Sequence, residues 1–234
     1  SGEDTGSRGD AENAEDLPEG WIAGVIGDEM YLKNGFAFKS TDYANEGIPL
    51  LRISNIQDGE VDLSDCARLP PAKANRSFSV EQGDLLVAMS GATTGKFGIY
   101  RGTEPCLQNQ RVGNIKIRDS RAVASGFRNI YLRSLKQRIE ADAYGGAQPN
   151  ISPAKIEALP FLKPPLPEQE EIVRRVEAMF AVADRLEARF ETARAQVDRL
   201  APALLAKAFR GELVPQDPRD PPASALLERF PEKK

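Results

Sequence analysis

Residues 167–211 read PEQEEIVRRVEAMFAVADRLEARFETARAQVDRLAPALLAKAFRG, and a single periodicity runs through them. Apolar side chains recur at Ile172, Val176, Met179, Ala183, Leu186, Phe190, Ala193, Val197, Leu200 and Leu204, in steps that alternate four and three without a break. That alternation is the seam of a coiled coil, and Glu and Arg fill the flanking positions as solvated charges. A helix from about Pro167 to Arg210 would be roughly 65 Å long at 1.5 Å per residue. One small domain cannot cover so long an apolar stripe, so the pattern implies a partner helix; the alternative is a helix packed on its own domain. Pro164-Pro165-Leu166-Pro167 forms a stiff lead-in. Pro202 is expected to kink the last turns by removing the hydrogen bond to residue 198. Gly211 is expected to cap the end.

Upstream of the helix the pattern changes. From Trp21 to about Pro165 the apolar runs are short and broken by Gly, Pro, Asn and Asp. Ile48–Ile53, Asp84–Met89, Gly98–Tyr100 and Val112–Ile117 read as strands, each followed by turn residues. Ser125 to about Ala143 reads as a helix through Phe127, Ile130, Tyr131, Ser134, Leu135 and Ile139, with Gly145-Gly146 ending it. Ser152-Pro153 is an N-cap followed by proline at the first helical position. The expected architecture is a mixed α/β (α+β) domain over residues 17–165, then a long coiled-coil-forming helix over 166–211 and an extension over 212–234. Residues 1–16 are rich in Gly, Ser, Asp and Glu and read as a disordered linker or tail.

Composition narrows the chemistry. The 234 residues contain no histidine, which removes Ser–His, Cys–His and histidine-metal mechanisms together. Two cysteines, Cys66 and Cys106, have no CxxC partner; arithmetic alone allows a disulfide, and two buried thiols of a cytosolic protein are the preferred reading. No run approaches the roughly 18 apolar residues of a membrane span. The net charge of −4 hides an uneven distribution. Residues 1–20 hold seven acids against one arginine, whereas residues 21–165 hold 18 bases and 15 acids, a net +3. The body is mildly basic, which permits contacts with nucleic-acid phosphates.

Several loops carry recognition chemistry. Ser90-Gly91-Ala92-Thr93-Thr94-Gly95-Lys96 follows a strand and resembles a phosphate-binding loop. Such a loop needs four residues between its glycines and Ser or Thr after the lysine. Here three residues intervene and Phe97 follows Lys96, so a nucleotide-binding protein is the lesser alternative, beside a coiled-coil scaffold. The loop still offers hydroxyls, backbone N–H groups and a cation to a phosphate or base edge, or it is an ordinary glycine-rich turn. Gln108-Asn109-Gln110-Arg111 places amides and a guanidinium before a strand, the groups that pair with adenine and guanine edges. Gly35-Phe36-Ala37-Phe38-Lys39-Ser40 and Arg52-Ile53-Ser54-Asn55-Ile56 offer polar groups beside apolar anchors, with Phe36 and Phe38 read as core. The candidate DNA-contacting set is Lys39, Arg52, Asn55, Ser90, Thr93, Lys96, Gln110, Arg111 and Gln148. Within it, Lys39 and Lys96 are phosphate candidates; Asn55, Gln110, Arg111 and Gln148 are base-edge candidates. No catalytic or metal-ligating residue is expected.

These motifs, in this order, resemble the specificity subunit of type I restriction–modification systems. The resemblance is carried by Leu17-Pro18-Glu19-Gly20-Trp21, the 35–40 and 48–56 stretches, Gly83-Asp84-Leu85-Leu86 through Gly95-Lys96, and Asn109-Gln110-Arg111. It continues through Gln148-Pro149-Asn150-Ile151-Ser152, Pro164–Gln169 and Ala208-Phe209-Arg210-Gly211-Glu212-Leu213. It implies a target-recognition domain that reads one half of a bipartite site in double-stranded DNA, without catalysis of its own. It also implies a conserved helix that pairs antiparallel with a second one and docks partners. Methylation subunits would bring S-adenosylmethionine, and a restriction subunit would bring ATP and Mg. A full subunit carries two such domains and two helices; here there is one of each, either half of a longer chain or a half-subunit that forms a homodimer.

Overall fold

The computed structural model describes residues 17–143, 149–215, 217–222 and 224–225. The expectations for residues 1–16, Gly145-Gly146 and Gln148 lie outside them, and the 212–234 extension is described only in part. Contacts divide the chain into a first unit ending at Arg175 and a second beginning at Val176.

The first unit grows from β7 (Leu85–Ala88), whose four residues are all buried. A strand buried on both faces needs an unbroken apolar run, and its alternate side chains must feed two separate cores. Leu85 and Val87 join Phe97, Ile115, Phe127, Leu132 and Ile139 in one core. Leu86 and Ala88 join Leu51, Val80, Tyr100, Cys106 and Val112 in the other. The strand therefore lies in a middle layer.

That layer is a five-stranded sheet in the order β2 (Met30–Asn34), β10 (Val112–Ile117), β7, β8 (Phe97–Ile99) and β4 (Gly59–Glu60). Only its edge pair, β4 with β8, is parallel. On one face pack α2 (Ser125–Ser134) and α3 (Lys136–Ala143). On the other lies a four-stranded sheet in the order β5 (Ala67–Leu69), β3 (Ile48–Leu51), β9 (Cys106–Gln108) and β6 (Ser79–Val80). A two-stranded ribbon joins β1 (Ile22–Val25) to β11 (Pro160–Lys163), and two short helices, α1 (Ile26–Glu29) and α4 (Pro153–Glu157), flank it in sequence. The mixed α+β architecture agrees with the sequence pattern.

The expected helix and one expected strand end are revised. The 125–143 helix is two helices that meet at Leu135, whose N–H is shared between the Tyr131 and Leu132 carbonyls at 3.3 and 3.2 Å. Just before it, the Ser134 hydroxyl donates to the Tyr131 carbonyl at 2.7 Å, a local bond that competes with the helical ladder. The strand expected to reach Ile53 stops at Leu51, because Ile53–Asn55 tightens into a 3-10 turn.

The long helix α5 (Leu166–Phe209) has 44 residues and would measure about 66 Å. It stays helical through Pro202, and Gly211 follows it at φ +72°. Its first turns belong to the first unit. Gln169 is fully buried: its amide nitrogen donates to the Ala122 and Pro164 carbonyls, and its Oε1 accepts from the Ala124 N–H, all at 2.9 Å. Trp21 Nε1 donates to Glu168 at 3.0 Å. A Cβ on Gly126 would lie 2.9 Å from Val173, so glycine there admits the helix. Ile172, which the heptad assigns to the seam, packs half-buried against the first core instead, because the seam begins before the helix leaves its domain. Every residue from Glu177 to Phe209 is exposed in the single chain.

Candidate nucleic-acid interface

The loop after β7 turns through Gly91 and Gly95, at φ +79° and +87°. Both angles lie in the left-handed region that favours glycine. The Thr94 hydroxyl donates to the Gly91 carbonyl at 2.7 Å, and the Gly95 N–H donates to Ala88 at 2.9 Å. The chain then enters β8 with Phe97 buried. A phosphate-binding loop leads from a strand into a helix, where the helix N-terminus meets the anion. This one connects two antiparallel strands, so the nucleotide-binding alternative loses its structural basis.

Three stretches far apart in sequence meet at this loop. Gly91 N–H donates to the Pro149 carbonyl at 3.1 Å, and Ile151 N–H donates to Met89 at 2.9 Å. Met89 N–H in turn donates to the Arg111 carbonyl at 3.0 Å, which ties in the β9–β10 connection. Among the described residues they enclose a concavity of about 930 Å³ lined by Met89, Ser90, Gly91, Ala92, Gln110, Arg111, Pro149 and Asn150. Among the described residues its lining has one cation, two amides and no carboxylate. Among the described residues Ser90 Oγ is buried with no hydrogen-bond partner, a group left for something else to satisfy.

The candidate residues separate sharply. Ser90, Gln110 and Arg111 line the concavity. Gln110 and Arg111 are exposed, and neither side chain has a partner among the described residues. Asn55 does not share that freedom, and its role as a base-edge candidate is corrected. It is buried, its Oδ1 accepts from Arg52 N–H at 3.0 Å, and its amide nitrogen donates to the Asp62 and Asp65 carbonyls at 3.1 and 3.2 Å. Thr93 Oγ1 donates to the Ile53 carbonyl at 3.3 Å, which ties two loops together. Lys39 is exposed and Lys96 half-exposed; neither lines the concavity nor forms an ion pair among the described residues. Arg52 is half-buried, and its Nε has no partner among the described residues.

Within Gln108–Arg111 only the last two side chains face outward. Gln108 is fully buried and donates to the Lys33 carbonyl at 2.9 Å. Asn109 donates to Tyr43 Oη at 3.3 Å and accepts from Gln110 N–H at 2.7 Å. Asn150, exposed on the wall, is a lining residue outside the candidate set, although it lies in the 148–152 motif; its neighbour Pro149 is the sequence signal of a fixed loop. Phe36, read as core, is 42% exposed and packs edge-on against Phe38 and tilted against Phe78, with ring centroids 5.0 and 5.3 Å away. Its backbone bridges to Asn109, which sets the 35–40 stretch beside the amide cluster.

The cysteines are free. Cys106 is buried and its thiol is pushed up to about 12, mainly by burial. Cys66 is half-buried rather than buried, with a smaller upward shift, again from burial first. Among the described residues no group of three or more Cys, Asp or Glu is placed to hold a metal, and no helix is long and apolar enough to cross a membrane.

The structure thus sets a hollow built from loop termini, with Arg111 the cation among its described lining residues, on a three-layer domain. The family model for the type I restriction modification DNA specificity domain matches residues 18–192, and the chain belongs to that family. It is 33% identical over 215 residues to the specificity subunit of the type I restriction enzyme EcoKI of Escherichia coli K12, covering 85% of this chain and 46% of that one. With the EcoBI specificity subunit of Escherichia coli it shares 31% over 232 residues, covering 92% and 48%. Among solved structures, the HsdS subunit from Thermoanaerobacter tengcongensis superposes with a TM-score of 0.65 at 21% identity, over 87% of this chain and 48% of that one. A chain from a study of assembly and conformational transition in a type I system superposes at 0.70, also at 21%, over 86% and 49%. The chain thus spans about half the length of the relatives it matches.

Proposed function

We propose that this chain reads one half of a bipartite target in double-stranded DNA, as the specificity component of a cytoplasmic type I restriction–modification complex. The observation that carries the reading is the concavity where the Ser90–Ala92, Gln110-Arg111 and Pro149-Asn150 stretches converge. Sequence is read by side chains that can form paired hydrogen bonds with base edges, and position is fixed by contacts to phosphates. Gln110 and Arg111 present an amide and a guanidinium that the fold leaves uncommitted. Lys39 and Lys96 are suited to phosphates. Catalysis belongs to other chains on this reading: methylation subunits with S-adenosylmethionine, and a restriction subunit with ATP and Mg. The helix α5 pairs antiparallel with a second such helix and offers those subunits a docking surface.

The test is selection from a random DNA pool by the chain assembled with its methylation subunits, followed by the same selection with Arg111→Ala. A single bipartite motif is expected from the parent. The variant is expected to lose discrimination at one guanine by about 1–3 kcal/mol. Equal weakening on all sequences would make Arg111 a phosphate contact. No selected motif from the parent would leave a coiled-coil scaffold as the better reading.

A further inference from the structure

The ring of Phe36 stands out of a cluster that the fold otherwise closes. Phe36 is exposed, while Phe38 and Phe78, which pack edge-on and tilted against it, are half-buried. Its place is fixed through the backbone. Phe36 N–H donates to the Gln108 carbonyl at 3.1 Å, and the chain there bridges to Asn109 in parallel. Gly35 makes that approach possible, because a Cβ there would lie 2.1 Å from the Asn109 carbonyl oxygen. Bridged chains run about 5 Å apart and successive Cα atoms about 3.8 Å, so Phe36 lies within roughly 9 Å of Gln110. That span is under three base-pair steps of about 3.4 Å.

The surroundings suit a polyanion. Lys33 Nζ sits 6.0 Å from the centre of the Phe78 ring, and Lys39 and Arg76 are exposed. Among the described residues none of these three cations forms an ion pair, whereas Asp42 is held by Lys73 at 3.2 Å. The apolar area on offer is small. A phenylalanine side chain buries about 150–250 Å² when fully covered, so the 42% of Phe36 that is exposed amounts to roughly 100 Å² or less. A stable protein interface takes about 800 Å² a side, which this ring cannot supply. It cannot act as a wedge either, because a wedge slides its whole ring between two base pairs and more than half of Phe36 is already covered. What fits is one apolar group met side-on.

We infer that Phe36 is a specificity-determining residue that packs on the C5 methyl of one thymine, close to the bases met by Gln110 and Arg111. The inference deepens the DNA reading proposed above and rests on it. An amide pairs with adenine N6 and N7, and a guanidinium with guanine O6 and N7, all in the major groove. The thymine methyl projects into that same groove and is the apolar feature of its base edges. An apolar ring fixed beside two polar readers therefore has a single kind of target. The cations around the cluster suit the flanking phosphates.

The test uses the chain assembled with its methylation subunits and the duplex that it selects. Each thymine of the selected motif, on either strand, is replaced in turn by deoxyuridine, which lacks only the methyl. One position is expected to weaken binding roughly fourfold, the effect of uncovering one methyl-sized group. Phe36→Ala is expected to bind the thymine duplex roughly fourfold more weakly or worse, and deoxyuridine at that position to cause no further loss. Phe36→Leu, which keeps an apolar side chain, is expected to stay sensitive to the methyl. A motif without thymine, or no sensitive position in the parent, would overturn the inference and leave the DNA reading standing. An equal loss on deoxyuridine in Phe36→Ala and in the parent would assign the methyl to another residue and overturn it too. Failure of the parent to select any motif would overturn the DNA reading and this inference with it. The parent measurements stand whether or not Phe36→Ala folds.

Discussion

Two polar residues that look alike in sequence have opposite fates in the fold. Asn55 and Gln110 both sit in polar loops next to apolar strands. Asn55 spends its amide on three backbone groups, whereas Gln110 leaves its side chain to solvent. Asn55→Ala would strand one N–H and two carbonyls in a buried loop, at a cost of about 2–3 kcal/mol in urea unfolding. Gln110→Ala is expected to stay within about 0.5 kcal/mol of the parent, with its effect confined to DNA selection. The sequence cannot distinguish the two, because both are short-range polar signals and the difference lies in which carbonyls come within reach. Cys106 offers a check on burial. Its thiol is raised from 9.0 to about 12 in the folded chain, so the folded state keeps a proton that the unfolded state loses. The stabilisation is complete below pH 9 and is lost as pH rises toward 12, so thermal stability should fall across that window. Tyr100 is also shifted upward, by burial first, and acts in the same direction. Alkylation followed by mass spectrometry should label Cys106 only on unfolding; rapid labelling of the native chain at pH 8 would contradict the buried site.

Length against period decides how much of each element can be read. The helix α5 was legible to within a residue at each end because its alternation repeats over several turns. Val112–Ile117 was legible as well, being the longest strand of the domain. Strands such as β4, β6 and β9, of two or three residues, hold barely one side-chain period and are fixed by their neighbours in the sheet. The break at Leu135 left the apolar spacing intact and was invisible for that reason. Gln169 is the counterpart to these cases: a polar residue in a helical first turn, exposed by any propensity argument, yet fully buried as the clamp between α5 and its domain. Gln169→Ala removes a donor pair and an acceptor from Ala122, Pro164 and Ala124. A loss of about 2–4 kcal/mol is expected in thermal or urea unfolding. Gln196→Ala, exposed on the same helix, is the control and should change monomer stability by less than about 0.5 kcal/mol.

At the scale of the whole molecule, the seam makes a prediction that depends on pH as well as on mass. Leu186 is 58% exposed in the single chain, so Leu186→Asp leaves the domain core untouched and should preserve the circular dichroism and unfolding of the first unit. In the proposed pair each copy contributes one such position, and two carboxylates enter the seam. An unpaired charge in an apolar contact is costly. If α5 pairs with a second such helix as proposed, the parent should sediment as a dimer at pH 7.5 and the variant as a monomer. Burial in the dimer would raise the pKa of the new carboxyl above its ordinary value near 3.9. Pairing is then favoured once the group is protonated and lost as pH rises through that raised value. Lowering the pH from 7.5 toward 4.5 should bring the variant back toward the dimer, while Leu186→Lys, charged throughout, should remain monomeric. An unchanged mass for Leu186→Asp at pH 7.5 would place self-association on another surface and leave the exposed face of α5 for a different helix.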